Sequence, residues 1–192
     1  MLQVAITPER VEAALAAGEL ACPGCSGRLS PWGFARSREV RLADEVRPLT
    51  PRRARCGACE TTHVLSPSWT VTRRRDGAEV IGEALRLAAT GAGHRPIARH
   101  LGRPEGTVRG WLRAARTRAG GLRACACRKL VALDPEPVAV TPAGSELGDA
   151  VEAIMVAVRA WVLRFGGDEL GPWERAVWLT GGLLHGHPPL PP

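Results

Sequence analysis

Two pairs of cysteines are the residues in this chain best suited to chemistry. Cys22 and Cys25 form a first C-x-x-C pair, and Cys56 and Cys59 form a second pair after 30 intervening residues. Each pair places two thiolates on one side of a tight loop, and two such loops can close a tetrahedron of sulfur ligands around zinc. Four thiolates leave no open coordination position, so the spacing predicts one structural Zn²⁺ and no catalytic metal.

Other arrangements of these and nearby residues compete with the zinc interpretation. A redox dithiol is one alternative, but no thioredoxin-like pattern surrounds either pair. His63, four residues after Cys59, is either a spare metal ligand or an ordinary strand histidine. Cys125 and Cys127 form a C-x-C motif that could serve a second metal or a redox role, although no further pair of ligands lies near it in sequence.

A second chemical feature is the arginine-rich stretch of residues 93–116, which has the pattern of two short helices joined by a turn at Gly102. In the second helix, Val108, Trp111 and Leu112 lie at i, i+3 and i+4 and are expected to face inward. A helix with a buried stripe and an arginine-bearing outer face, preceded by a short helix, is typical of DNA recognition. The residues expected to contact DNA are Arg95, Arg103, Thr107, Arg109, Gly110, Arg113, Arg116 and Thr117.

These motifs also carry a resemblance. Residues 95–112, R-P-I-A-x-x-L-G-x-P-x-x-T-V-R-x-W-L, resemble the homeodomain-like helix-turn-helix of transposases and bacterial regulators. Residues 22–67 are similar to the zinc-ribbon segment before the helix-turn-helix of some insertion-sequence transposases. The chain looks closer still to an uncharacterised actinobacterial family that joins such a ribbon to a helix-turn-helix. The resemblance implies double-stranded DNA as partner.

Ala114 stands where a homeodomain has its adenine-reading asparagine, so base readout is expected to depend mainly on Arg113.

The distribution of charge agrees with a nucleic-acid partner. The chain has 26 Lys+Arg and 19 Asp+Glu, a formal net charge of +7. Residues 21–130 contain 22 of the basic and 8 of the acidic residues, a net +14, whereas the remainder is acidic. A strongly basic middle favours a polyanion as partner.

Residues 1–20 lack a signal-peptide pattern, and no apolar run is long enough for a membrane span, so we expect a cytoplasmic, nucleoid-associated bacterial protein.

The elements that must position these motifs predict an α+β, mainly α, multi-domain chain. The expected parts are an N-terminal strand and helix (1–20), a zinc ribbon (21–68), a homeodomain-like three-helix helix-turn-helix domain (69–120), a linker (121–144), a C-terminal helical hairpin (145–186) and a disordered tail (187–192). Gly120 and Gly121 are expected to end the recognition helix, and Asp76 is expected to cap the first helix of that domain.

Within the ribbon, residues 29–42, 50–55 and 61–65 have the pattern of strands, with Trp32 and Phe34 expected to contribute apolar contacts. The ribbon arginines are either a second basic face toward DNA or simply solvated; they are Arg36, Arg38, Arg41, Arg52, Arg53 and Arg55. The first helix after the ribbon is expected over residues 77–90.

The tail and the missing catalytic pattern complete the functional prediction. The apolar stripe of residues 145–165 needs cover from the rest of the chain or from a second copy, which favours a homodimer. No small-molecule substrate is indicated, and the three carboxylates expected of a transposase active site are not apparent, so we expect no enzymatic activity. The leading prediction is a DNA-binding regulator or transposon-derived recognition protein. The alternatives are an adaptor anchored on DNA that acts through its acidic C-terminal helices, and a transposase remnant.

Overall fold

The computed structural model describes residues 2–4, 8–167 and 169–182, and within them the fold is α+β with about half of the chain helical. The strands are β1 (Leu2–Val4), β2 (Leu29–Phe34), β3 (Arg38–Arg41), β4 (Val46–Leu49), β5 (Arg52–Cys56) and β6 (Thr62–Pro67). The helices are α1 (Pro8–Ala17), α2 (Ala78–Ala89), α3 (His94–Leu101), α4 (Glu105–Leu133), α5 (Glu146–Phe165) and α6 (Pro172–Thr180). The tail expected to be disordered, 187–192, lies outside the described residues.

The N-terminal part is built on a four-stranded sheet with the order β1-β6-β5-β2. β1 pairs with β6 in parallel, whereas β6, β5 and β2 are antiparallel neighbours. Helix α1 covers one face of this sheet, where Val11 and Leu15 pack on Leu29, Ala54 and Leu65. So small a core buries little apolar area and by itself contributes little stability to this part of the fold.

The expected strand over residues 29–42 is divided in the structure. β2 belongs to the four-stranded sheet, and β3 turns away to form a separate hairpin with β4. Val40 is fully buried there, but Trp32 is 49% exposed and Phe34 is 60% exposed. These two aromatic rings, expected to contribute apolar contacts, therefore lie outside the buried cluster of the sheet. Alternation alone could not show that the face of β2 bearing Trp32 has no covering element.

The C-terminal part is one continuous core formed by α2 to α6. Helix α5 lies along α4, and it begins at the N-cap Ser145, whose hydroxyl accepts a hydrogen bond from the Gly148 amide at 3.0 Å. The α5 residues Leu147, Val151, Ile154 and Val158 are buried in this shared core. The apolar stripe of the tail is thus largely covered within the chain. The homodimer stays a prediction, but the stripe that suggested it does not need a second copy for cover.

Helix α4 corrects the expected helix boundary. It passes through Gly120 and Gly121 without a break and ends at Leu133, so the segment between helices is confined to residues 134–145. Two glycines cost a helix about 1 kcal/mol each relative to alanine. The buried stripe of α4 continues past the two glycines and packs against α5, and this packing outweighs their low helix propensity. The buried residues in this second half of α4 include Ala119, Leu122, Ala126 and Leu130.

Among the described residues, no helix combines the length and the apolar character needed to cross a lipid bilayer.

Candidate metal centre and arginine face

The four cysteines of the two C-x-x-C pairs form one cluster. Their Sγ atoms all lie within 4.8 Å of one another, with Cys22 and Cys59 3.7 Å apart and Cys25 and Cys56 3.4 Å apart. These separations are too long for disulfides, whose sulfurs are about 2.05 Å apart. They are close to the edge of about 3.8 Å that a tetrahedron with metal–sulfur bonds of about 2.3 Å requires. The predicted ligand set is therefore brought together as a site that can hold a metal ion.

Backbone amides point at the sulfur atoms in the same way in both loops. The Gly24 amide donates to the Sγ of Cys22 at 3.4 Å, and the Ala58 amide donates to the Sγ of Cys56 at 3.4 Å. In the second loop the Cys59 amide also donates to the Sγ of Cys56, at 3.5 Å. Hydrogen bonds to sulfur stabilise the thiolate form, which is the form that binds metal.

The two loops share their backbone conformation as well. The Ser26 amide donates to the carbonyl of Cys22 at 2.8 Å, and the Glu60 amide donates to the carbonyl of Cys56 at 3.0 Å. Ser26 and Glu60 hold the same position in their loops, and both have φ of 59°, in the left-handed region. The two pairs are thus copies of one loop, arranged so that their sulfurs face each other.

The thiols of the cluster influence each other's ionisation. Hydrogen bonds from the side chain and the backbone of Thr61 lower the pKa of Cys59 to about 6. The Gly27 amide lowers the pKa of Cys25, but hydrogen bonds with the thiols of Cys56, Cys59 and Cys22, together with burial, outweigh it and raise that pKa to about 12. Four sulfurs this close cannot all ionise unless a cation compensates their charge. The cluster is therefore suited to a cation rather than to four separate thiols.

The neighbouring candidates stand outside the four-sulfur set. His63 is 6% exposed and its Nε2 lies 3.4 Å from the Sγ of Cys22, so it is positioned to orient that ligand from outside the cluster. Cys125 and Cys127 lie in α4; burial raises the pKa of the Cys125 thiol, which is 3.8 Å from the carbonyl of Leu179. Among the described residues, none of these three side chains belongs to a group of potential metal ligands.

The arginine-bearing face of α4 has the predicted division into two sides. Val108, Trp111 and Leu112 are at most 1% exposed, so the inward stripe is confirmed. The outer side carries three exposed arginines at helical spacing, Arg109, Arg113 and Arg116. None of the three forms an ion pair with another described residue. We call these three residues the α4 arginine row.

The remaining predicted contacts lie around this row. Arg95 at the start of α3 has a side chain 76% exposed and lies 3.6 Å from the carboxylate of Glu105. Thr107 and Gly110 are partly exposed, and the hydroxyl of Thr117 donates back to the carbonyl of Arg113 at 3.1 Å. Gly102 ends α3 with φ of 61°, so the turn expected at this glycine is present.

Arg103 differs from the other predicted contacts. Its Nε lies 2.7 Å from the carboxylate of Asp76, its Nη2 donates to the carbonyl of Leu42 at 2.7 Å, and its side chain is 13% exposed. Asp76 is 2% exposed and also accepts from Arg41 at 2.7 Å. We call Asp76, Arg41 and Arg103 the junction triad. The guanidinium of Arg103 is thereby directed inward, away from the phosphate contact expected of it.

Asp76 itself was expected to cap α2, and this expectation is wrong. The N-cap of α2 is Gly77, and no side chain caps it. The Asp76 carboxylate instead joins β3 to the turn between α3 and α4, a role for which no local sequence signal exists because its two arginines lie 35 and 27 residues away. Backbone hydrogen bonds reinforce the junction. The Arg41 amide donates to the carbonyl of Arg75, and the Gly77 amide donates to the carbonyl of Arg41.

Comparison of the chain with protein-family models, with curated proteins and with solved structures found no match. The resemblance to transposase DNA-recognition regions accordingly stays a prediction.

Proposed function

We propose that the protein binds double-stranded DNA through α3 and α4 as a helix-turn-helix, with a zinc ribbon attached to it by the junction triad. The observation that carries the proposal is the α4 arginine row, opposite a fully buried stripe on the same helix. Arginine side chains on an exposed helix can reach phosphates and bind guanine with two hydrogen bonds. The short helix α3 and the Gly102 turn support α4 as they would in a recognition unit.

Within this proposal the arginines have different roles. Arg113 lies at the centre of the row and is assigned to base edges, and Arg109 and Arg116 on either side of it are assigned to phosphates. Arg95, at the start of α3, is a further phosphate contact. Arg103 supports the turn instead of contacting DNA, because its guanidinium already donates to the Asp76 carboxylate and to the backbone carbonyls of Leu42, Leu101 and Gly102.

A binding titration with fluorescently labelled duplex DNA tests this proposal. Arg109→Ala is expected to weaken binding uniformly and to reduce the slope of log K against log salt by about 1, whereas Arg113→Ala is expected to relax sequence preference by about 1–3 kcal/mol at one base pair. Arg86→Ala is the matched control, since Arg86 is also a helical arginine but is paired with Glu83 on α2. Absence of salt-dependent duplex binding by the native chain at about 50 mM salt would contradict the proposal.

Zinc is the metal we assign to the four-cysteine cluster. A set of four thiolates with tetrahedral edges is the usual structural zinc site, and soft sulfur ligands disfavour magnesium and calcium. Elemental analysis is expected to give one zinc per chain, and Cys56→Ser is expected to lose the metal and the order of the N-terminal sheet. Cys127→Ser, in α4, is the matched control and is expected to keep the metal. A native chain that folds without metal, or one that holds iron, would refute the assignment.

The adaptor alternative has less support from the geometry. It treats the acidic C-terminal helices as a separate active part, but α5 and α6 share one core with α2 and α4. Deletion of residues 145–192 is therefore expected to expose the buried stripe of α4 and to impair folding of the DNA-binding helices. We consequently propose that these helices stabilise the recognition unit and that DNA recognition is the function of the whole chain, without a catalytic step.

A further inference from the structure

The outer face of the four-stranded sheet is a second surface that the α4 arginine row does not explain. α1 covers the opposite face, where Ala54 and Cys56 of β5 are fully buried. Side chains alternate along a strand, so Arg53 and Arg55 of β5 point to the outer face. Trp32 of β2 lies on this side too, 49% exposed, with its ring beneath the guanidinium of Arg55.

The arginine–aromatic contact gives this surface a defined geometry. The guanidinium carbon of Arg55 is 4.8 Å from the ring centroid of Trp32, a cation–π distance that holds the indole in place. Arg55 is also 3.0 Å from the exposed carboxylate of Glu60. Arg53 lies opposite Val64 of β6, and Arg55 lies opposite Thr62. We define the Trp32 face by four residues of these strands: Trp32, Arg53, Arg55 and Thr62.

The other exposed aromatic residue of β2 has a different setting. The pairing of β2 with β5 shifts register between Pro31 and Phe34, next to Gly33 at φ of 74°. Arg52, which stacks on Phe34 at 4.5 Å, is bound to Glu12 of α1 at 2.7 Å. Phe34 therefore belongs to the side of the sheet that α1 covers, and the arginine stacked on it is bound to that helix.

We propose that the Trp32 face binds single-stranded DNA. A flat aromatic ring on a sheet, flanked by arginines, offers a stacking surface for an unpaired base and positive charge for the phosphates beside it. The bases of an intact duplex already stack on each other, so a duplex would leave the indole without a partner. Trp32 is 49% exposed and lies beside basic side chains, so this face offers an aromatic ring together with positive charge, a combination that suits a polyanion with unpaired bases. This site uses residues other than the α4 arginine row, so it stands independently of the proposed duplex binding.

The test uses the full, zinc-loaded chain and a labelled oligo(dT) of about 12 nucleotides in a fluorescence anisotropy titration. Trp32→Ala is expected to weaken binding about 10-fold or more, and Trp32→Phe is expected to restore most of it, because one stacked base accounts for an effect of this size. Phe34→Ala is the matched control: it removes an equally exposed aromatic ring from the same strand and is expected to leave binding unchanged. Metal content and circular dichroism of each variant show that the fold is intact.

The outcomes separate this site from the duplex site. Arg113→Ala is expected to weaken duplex binding while oligo(dT) binding stays within about 2-fold of native, so either proposal can fail without the other. Three results would overturn the single-strand proposal: a native chain that does not bind oligo(dT) at about 50 mM salt, a Trp32→Ala variant that binds as tightly as native, or equal loss in Phe34→Ala and Trp32→Ala. Tighter binding to the corresponding RNA oligonucleotide would overturn the assignment to DNA.

Discussion

The junction triad makes Asp76→Ala the most informative single change in this protein. The Asp76 carboxylate is 2% exposed and lies 2.7 Å from Arg41 and 2.7 Å from Arg103. Arg103 also donates to the carbonyl of Leu42 at 2.7 Å. These contacts join the β3 hairpin, the start of α2 and the turn between α3 and α4. Removal of the carboxylate is therefore expected to weaken both the stability of the chain and the attachment of the β3–β4 hairpin to the helices.

The magnitude follows from burial. Breaking a buried ion pair by removing one partner costs about 3–5 kcal/mol, and two hydrogen bonds to charged groups of about 1.5–3 kcal/mol each give a similar range. The side chain of Arg103 is 13% exposed and is left uncompensated, whereas that of Arg41 is 39% exposed and can hydrate. We therefore expect a loss near the lower end, about 3 kcal/mol in the free energy of unfolding. For a chain of this size such a loss lowers Tm by roughly 6–12 °C.

Urea unfolding followed by circular dichroism is the assay, with zinc held in excess so that metal loss does not contribute. Asp76→Asn, which keeps the shape but removes the charge, is expected to show most of the same loss. Glu83→Ala is the control, because it removes the exposed Glu83–Arg86 pair and is expected to change stability by less than about 0.5 kcal/mol. An Asp76→Ala variant within about 1 kcal/mol of native would refute the argument that the junction triad stabilises the fold.

Three further predictions concern the helical core. Gly120→Ala and Gly121→Ala, where an added Cβ meets open space, are each expected to stabilise the chain by about 1 kcal/mol in urea unfolding; no gain would mean that α4 is not continuous there. Gly82→Ala would place a Cβ against the ring of Trp173, which is 4% exposed, and is expected to destabilise the chain by about 1–3 kcal/mol; an unchanged Tm would contradict this packing. Burial raises the pKa of Glu174, so the folded chain favours its neutral form and loses stability as pH rises through that pKa. Glu174→Gln is expected to be more stable than native at neutral pH, with the difference shrinking as pH falls toward about 4; a constant difference would refute this.

Much of the local structure could be predicted because it depends on residues close in sequence. The C-x-x-C spacing indicated which four residues supply the sulfur cluster. The turn at Gly102 follows from local backbone requirements, and it is present. The stripe of Val108, Trp111 and Leu112 is buried because helical periodicity places these residues on one face, whatever the rest of the fold is.

The predictions that failed all depended on what lies opposite a residue. Gly120 and Gly121 have low helix propensity, yet α5 packs along α4 and the helix continues. Trp32 was expected to supply apolar contacts, but its side chain is 49% exposed. Asp76 has the composition and position of a helix cap, but two distant arginines bind it instead. Propensity and alternation carry no information about a partner on another element.

Fixed spacings along the chain were enough to predict which four cysteines come together and which sides of α4 face inward and outward. The contacts between distant elements, in contrast, show which arginines have internal partners. Arg103 and Arg41 are held by Asp76, while the α4 arginine row and Arg53 point outward. The physical reason is that a charged side chain becomes a binding group or an internal brace according to its nearest opposite charge. In the junction triad that charge lies 27 to 35 residues away in sequence.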